Sequence, residues 1–393
     1  MVGIKRISIL GCRGIPGNHG GFETFAQRIA LSLVKRGWSV TVYCENYNCS
    51  EIFEETWQGV RLIQVPVPGA SAKSTILFDW KSTLHAAKEK DLVLTLGYNT
   101  AIFSLIYRLK GIPNLINMDG LEWKRQKWNL AQRLWLYLNE RLGCWFADHL
   151  IADHPVIADH LATRAPRKKI TMIPYGADAI EKVDAALIEP YGLATNQYAI
   201  VIARPEPENN ILEIVSAFST RHRGLKLVVL GNYYPEQNDY HRQVIAAASD
   251  EVVFTGGIYD QPVVEALRTY AQLYVHGHAV GGTNPSLVEA MAASSPILAH
   301  DNHFTRWVAG NESAFFSDIA SCSAQFDLLL NNEDKLQKMG SHSLQRYQET
   351  FSAAQELFTY EDLFMWAIAD HNAVEPPTKP ALPDPSFVST YKR

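Results

Sequence analysis

The chain has 393 residues, of which 47% are hydrophobic and 20% charged, and its formal net charge is -5. At about 150 residues per domain this is about two to three domains, with enough apolar content to bury sizeable cores, so a wholly disordered or fibrous chain is excluded. The acidic balance argues against bulk attraction to nucleic acid, and no nucleic-acid partner is expected.

The first half alternates strand-like and helix-like segments. Ile7 to Leu10 is an apolar run that ends in glycines; Phe22, Phe25, Ala26, Ile29, Ala30 and Leu33 then recur at helical spacing, and Gly37 is a natural stop. Val40 to Tyr43, Arg61 to Val65, Leu92 to Leu96, Asn114 to Asn117 and Leu150 to Ala152 read as further strands. A second series opens near Tyr198, with a strand from Ala199 to Ala203, a helix over 209–220, and strands at Lys226 to Leu230, Val252 to Thr255, Leu273 to His276 and Pro296 to Ala299. Short strands separated by helices predict an α/β chain with two doubly wound domains facing a central cleft. The expected boundaries are a domain over 1–173, a linker over 174–195, a domain over 196–352, a C-terminal helix over 353–372 and a tail over 373–393. The helix reads as amphipathic over 353–370, and the tail that follows carries five prolines, which suit neither helix nor sheet interior.

The N-terminal MVGIKRISILGCRG does not read as a signal peptide, because its apolar run is short and passes straight into glycines. No stretch reaches the ~18 apolar residues of a membrane span, so any membrane association is expected to be peripheral. The five cysteines, Cys12, Cys44, Cys49, Cys144 and Cys322, are odd in number, scattered and without a CxxC pair, which fits a reducing cytoplasm.

Four segments carry chemistry. GCRGIPGNHGGFETF joins the first strand to the first helix and holds five glycines in eleven residues, including Gly20 and Gly21. A helix N-terminus behind so many glycines suits contact with a phosphate or a sugar, more than a tight turn alone needs. The spacing is not GxGxxG, which lowers an oxidoreductase reading. ARPEPENNI (203–211) places Arg204 at a strand's carboxyl end, where open α/β sheets bind ligands and a guanidinium could neutralise a diphosphate. HGHAVGGTNPSLVEAM (276–291) is the most specific. Asn284 is a good N-cap and Pro285 suits the first position of a helix over 285–293. Gly281, Gly282 and Thr283 lead into it, Ser286 and Leu287 could offer backbone N–H groups to phosphate, and Glu289 could accept from sugar hydroxyls. His276 and His278 form an HxH, but no further ligand is evident and no DxD occurs, so no metal is expected. Lastly, NMDGLEWKRQKW places Asp119 and Glu122 near a strand end, with Asp119 a candidate for sugar or acceptor contact against the plainer reading of a helix cap. The helix expected beyond mixes Lys124, Arg125, Lys127, Arg133 and Arg141 with Trp123, Trp128, Trp135 and Trp145. Basic and aromatic residues together suit an anionic membrane surface or a lipid-diphosphate acceptor; an interior helix with a solvated basic face is the alternative.

Taken together, RGIPGNHGGFETF (13–25), DGLEW (119–123), ARPEPENNI, GGIYD (256–260) and HGHAVGGTNPSLVEAM resemble the retaining GT-B glycosyltransferases of family GT4, and more narrowly the bacterial rhamnosyltransferases with a DUF1972 N-terminal domain. The resemblance implies two Rossmann-like domains, an acceptor-side first and a nucleotide-sugar-binding second, with the C-terminal helix crossing back onto the first. It further implies a cytoplasmic enzyme, peripheral at the inner face of the membrane, that transfers rhamnose from dTDP-β-L-rhamnose to a lipid-linked saccharide without a cofactor. The wider pattern pairs an arginine with a lysine five residues on, and two glutamates eight apart; here Asn209 follows Arg204, and Gly281 precedes Glu289. The narrower group is similar in both respects.

On this basis the Gly20–Gly21 loop and the 285–293 helix would hold the diphosphate, Arg204 would stabilise the leaving dTDP, Glu289 would hold the deoxyribose neighbourhood, and Asp119 would contact donor sugar or acceptor. The alternatives are a UDP- or GDP-sugar donor, a non-catalytic nucleotide-sugar-binding partner subunit, and an epimerase or hydrolase on the same fold. Acceptor, linkage and oligomeric state are not legible in the sequence.

Overall fold

The computed structural model describes residues 5–17, 20–125 and 128–369. The expected tail over 373–393 and Lys127 lie outside them. The chain divides into two compact units. The first runs to Ile173 and resumes at Leu357; the second is Pro174–Glu356.

In the first unit the strands are β1 (Arg6–Leu10), β2 (Ser39–Asn46), β3 (Phe53–Trp57), β4 (Val60–Pro66), β5 (Leu92–Leu96), β6 (Asn114–Asn117), β7 (His149–Ala152) and β8 (Ile170–Met172), and the helices are α1 (Gly21–Lys35), α2 (Ala72–Glu89), α3 (Ser104–Lys110), α4 (Leu130–Phe146) and α5 (Pro155–Ala162). The sheet order is β3-β4-β2-β1-β5-β6-β7-β8, parallel throughout except for β3 on β4. The near-continuous apolar runs of β1, β2 and β5 are buried, as strands covered on both faces must be. β3 is a strand that the sequence reading passed over, since FEETW is charged and exposed. It is set by the two-residue turn Gln58–Gly59, both at positive φ, the geometry that hairpins favour. At the sheet's centre, where the order reverses, Gly11 (φ 84°) crosses so close to β5 that a Cβ would lie 2.2 Å from the Leu96 carbonyl oxygen.

The second unit has strands β9 (Tyr198–Ile202), β10 (Lys226–Leu230), β11 (Val252–Gly256), β12 (Leu273–His276), β13 (Ile297–His300) and β14 (Ala314–Phe316), with helices α6 (Ile211–Phe218), α7 (Asp239–Ala246), α8 (Gln261–Thr269), α9 (Pro285–Ala292), α10 (His303–Ala309), α11 (Ile319–Leu329) and α12 (Glu333–Arg346). Its sheet is all parallel in the order β11-β10-β9-β12-β13-β14, the doubly wound order that reverses between its first and fourth strands. Ile211, Ile214, Val215 and Phe218 of α6 pack with β9, β10 and α11 in one buried core. The helix expected over 209–220 is shorter because Asn209 ends a 3₁₀ turn and Asn210 is left-handed (φ 49°).

The stretch expected as a linker is tied down at its start. Ala177 bridges to Ser352, its N–H donates to the Phe351 carbonyl (2.9 Å), and its carbonyl accepts from the Tyr347 hydroxyl (3.0 Å). The last helix, α13 (Ala353–Ile368), leaves from this point. From Leu357 onward it belongs to the first unit, where Tyr360, Leu363 and Phe364 are buried and the Trp38 indole donates to Glu361 (2.9 Å).

Asp79 on α2 is half-buried, and desolvation pushes its carboxyl up to about 7 from 3.8, against a Thr100 hydroxyl that donates to it at 2.7 Å. An acid whose folded pKa lies above its unfolded one binds its proton more tightly when folded, so stability is lost as pH rises from about 4 to about 7. Asp79→Asn keeps an acceptor for Thr100 and removes the titration. Its melting temperature should exceed that of the parent at about pH 8 and change less between about pH 5 and pH 8; melting curves with parallel pH profiles would refute this account.

Candidate active site

The clearest construction lies at the carboxyl ends of β9 and β12, the switch point of the second sheet. Two loops cross there. The Asn210 side-chain amide donates to the Gly277 carbonyl (2.7 Å), and the Ala279 N–H donates to the Glu208 carbonyl (2.9 Å). Gly277 makes the crossing possible, because a Cβ there would stand 2.0 Å from the Asn209 carbonyl oxygen. The glycine of the HGH motif is therefore a backbone requirement, a reading that the sequence analysis missed while attending to the histidines.

Arg204 stands exposed on the first of these loops. Asn209 does not share its surface. It is buried, and its side-chain amide donates to the Arg204 carbonyl (2.7 Å), so it shapes the arginine's loop and does not present itself to a ligand. The second loop carries Gly281 at φ 147° with open space where a Cβ would lie, followed by Gly282 and the buried Thr283.

Asn284 caps α9 with Pro285 in the first turn, and its side-chain oxygen accepts from the Ser286 N–H (3.0 Å). The Leu287 N–H donates to the Asn284 carbonyl (3.2 Å), and the Leu287 side chain is buried. Both N–H groups expected to face a phosphate are thus engaged by the cap, and a ligand oxygen would have to displace Asn284 to use that of Ser286. The Ser286 hydroxyl donates to the Ile202 carbonyl (3.2 Å) and so must accept from the Tyr274 hydroxyl (2.6 Å). Burial pushes Tyr274 up to about 12 and keeps that proton in place. Glu289 is paired with Arg268, a buried residue of α8 that the sequence reading did not single out. Removing Glu289 would leave the buried Arg268 guanidinium without this partner, so Glu289 anchors the helix whatever else it binds. The rings of His276 and His278 stack with centroids 4.4 Å apart and planes 9° apart, and burial beside His278 and His300 holds the His276 ring well below its ordinary range, hence neutral.

In the first unit, Gly20 and Gly21 lead into α1. Gly20 is at φ 115°, and its Cβ position would lie 2.1 Å from a Glu23 carboxylate oxygen. Glu23 also accepts from the Arg13 N–H (3.1 Å). An anion therefore already sits at this helix N-terminus, which suits a hydroxyl-bearing ligand better than a phosphate. Asp119 is half-buried after β6 in the left-handed region (φ 50°), its N–H donating to Asn117 Oδ1 (3.0 Å). Asn117 in turn donates to the Tyr360 hydroxyl (2.8 Å).

Of the residues assigned to the acceptor or membrane side, Glu122, Trp123, Arg125 and Trp128 are half-buried and Lys124 is exposed. Glu122 pairs with Arg125 at 2.7 Å, and its N–H donates to the Tyr98 hydroxyl. Trp123 turns onto the buried Glu140, its indole donating at 2.7 Å, with Lys124 over its ring and Arg164 and His160 completing the cluster around Glu140. Trp128 is half-buried. Residues 122–124 form a 3₁₀ turn, and the long helix starts only at Leu130, so Glu122 and Trp123 brace a loop while Lys124 stays exposed.

Residues 4–178 match the family described as Domain of unknown function (DUF1972), and residues 186–346 match Glycosyl transferases group 1. The chain carries a group 1 glycosyltransferase domain. This glycosyltransferase transfers sugar from a nucleotide-sugar, and the switch-point loops of its second unit fall inside the group 1 match. Among solved structures it is similar to sucrose-phosphate synthase from Thermosynechococcus elongatus, with a TM-score of 0.78 at 17% identity over 93% of this chain and 99% of that one. It is also similar to HepE of Anabaena in complex with UDP, at 0.71 and 14% over 91% and 98%. A third likeness is to α,α-trehalose-phosphate synthase (UDP-forming) from Burkholderia vietnamiensis, at 0.68 and 10% over 92% and 99%. These likenesses show a GT-B fold with two Rossmann-like domains. No match was found among curated proteins.

Gly277→Ala should push the 203–210 loop away from β12. The expected result is roughly tenfold weaker binding of nucleotide-sugar by calorimetric titration, with about 2 kcal/mol lost in urea unfolding. Unchanged affinity would show that the crossing does not shape the site.

Proposed function

We propose that this glycosyltransferase moves L-rhamnose from dTDP-β-L-rhamnose to a lipid-linked saccharide acceptor in bacterial cell-surface polysaccharide synthesis, at the inner face of the membrane and without a metal. The observation that carries the donor reading is the placement of Arg204 at the carboxyl end of β9, beside the crossing with β12 and opposite the capped start of α9 in the same unit. An exposed guanidinium at a switch point is suited to the diphosphate and to the charge that develops as dTDP leaves. Support for a 6-deoxy donor comes from Gly281. Where the wider GT4 pattern places a sugar-facing carboxylate, this chain has bare backbone and open space. Asp119 would orient a sugar hydroxyl, and Glu289, held by Arg268, would accept from the nucleoside's hydroxyl. A UDP-hexose donor is the second reading, favoured by HepE, whose structures hold UDP, and UDP-glucose.

Thermal-shift titration against dTDP-rhamnose, UDP-glucose, UDP-GlcNAc and GDP-mannose, with and without EDTA, separates them. A ligand that binds only the native state adds about 2.7 kcal/mol at a hundredfold excess over its Kd. Selective stabilisation by dTDP-rhamnose that EDTA does not alter is the expected result; stabilisation by UDP-glucose instead would replace the donor. Arg204→Ala should lower transfer by roughly 10²–10³-fold, about 2.7–4 kcal/mol of transition-state stabilisation, while leaving the melting temperature unchanged. Near-parental turnover would remove Arg204 from the mechanism.

A further inference from the structure

With Trp123 and Trp128 drawn inward, the outward apolar surface of the first unit lies elsewhere, on the layer formed by α2, α3 and α4, which pack side by side on one face of the sheet. On α4, Leu130, Leu134, Leu138 and Trp145 recur at helical spacing along one stripe, and the structure leaves them uncovered: Leu130 is 83% exposed, Leu134 59% and Trp145 57%. Leu109 at the end of α3 is 78% exposed. On α2 the exposed large apolar residues are Ile76, Leu77, Trp80 and Leu84, the first, third and fourth along one helical stripe, and the Trp80 and Phe103 ring centroids lie 5.1 Å apart, which joins the two helices' surfaces. Side chains of this size rarely face water together unless something covers them.

The charges on the same layer are of one sign. Lys73 and Lys88 flank the α2 stripe, and Arg108 and Lys110 border Leu109, all exposed. The carboxylates of these helices are withdrawn: Glu140 is buried, Asp79 is half-buried and accepts from the Thr100 hydroxyl, and Glu89 is paired with Arg61. A second copy of the chain is a poor cover, because a two-fold contact sets each patch against itself and would bring lysines and arginines together with no exposed acid on these helices to meet them. An anionic bilayer answers both features, accepting the leucines and tryptophans at the headgroup boundary and the cations at the phosphates.

We propose that the outer face of α2, α3 and α4 is the surface by which this protein docks on an anionic lipid membrane. The inference rests on the membrane-side reading above for its setting; vesicle binding needs no sugar transfer, so the two can fail separately. The test is co-sedimentation of the full chain with vesicles of phosphatidylcholine alone or mixed with phosphatidylglycerol, together with its mass in solution by light scattering. The parent should bind the mixed vesicles and not the neutral ones. Lys73→Gln with Lys88→Gln should weaken binding by about fivefold per charge removed. Leu134→Ser with Leu138→Ser should abolish it, while the melting temperature and its shift on adding nucleotide-sugar stay at parental values. Absence of binding to mixed vesicles, or equal binding by parent and variants, overturns the proposal. So does a parental dimer that the leucine substitutions convert to monomer, which would assign the face to self-association.

Discussion

At the carboxyl end of β12 two loops cross with their backbones in contact, and they can do so because Gly277 has no side chain to place between them. The rest of the second unit's site follows from this contact. It holds residues 203–210 against β12, which lets Asn209 be buried and bond the Arg204 carbonyl, which in turn leaves the guanidinium outside on a shaped loop. A side chain whose backbone is already fixed in this way loses less conformational entropy on meeting a ligand than one on a flexible loop. The two histidines beside Gly277 share in the same packing as a stacked pair, His276 buried and neutral and His278 half-buried.

Charge is distributed sparingly around the chemistry. In the second unit Arg268 is paired with Glu289 inside the fold, and Arg204 faces outward. In the first unit Glu23 occupies the start of α1, so that helix dipole is already answered by a carboxylate.

Much of this was legible in the sequence because it rests on local rules. Parallel strands read as apolar runs, Asn284–Pro285 reads as a cap, and the glycines after β1 read as a turn with close approach. The failures share a physical cause. β3 is held by its hairpin turn and not by hydrophobicity, so its charged sequence concealed it. Arg268 and Glu289 are 21 positions apart, and Trp123 and Glu140 are 17 apart; composition gives no sign that folding brings either pair together. The tryptophan-rich segment was correctly seen as unusual, but the sequence could not say which indoles face inward. Trp123 finds a buried carboxylate, whereas Trp145, one helical stripe from Leu134 and Leu138, finds none and faces solvent. Asn209 stands where the wider family pattern has a lysine, and its burial against the Arg204 carbonyl depends on a bond between loop residues that the sequence does not display.

The helix α13 starts in the second unit and completes the first. Trp38, Asn117 and His149, set early in the chain, find their partners in Glu361, Tyr360 and Trp366. During synthesis, then, the ribosome releases a first domain with an open seam, and the whole second domain must emerge before the piece that closes it. The amino-terminal half would spend that interval with apolar surface uncovered around Phe25 and Trp38, the stage at which a nascent chain most needs a chaperone.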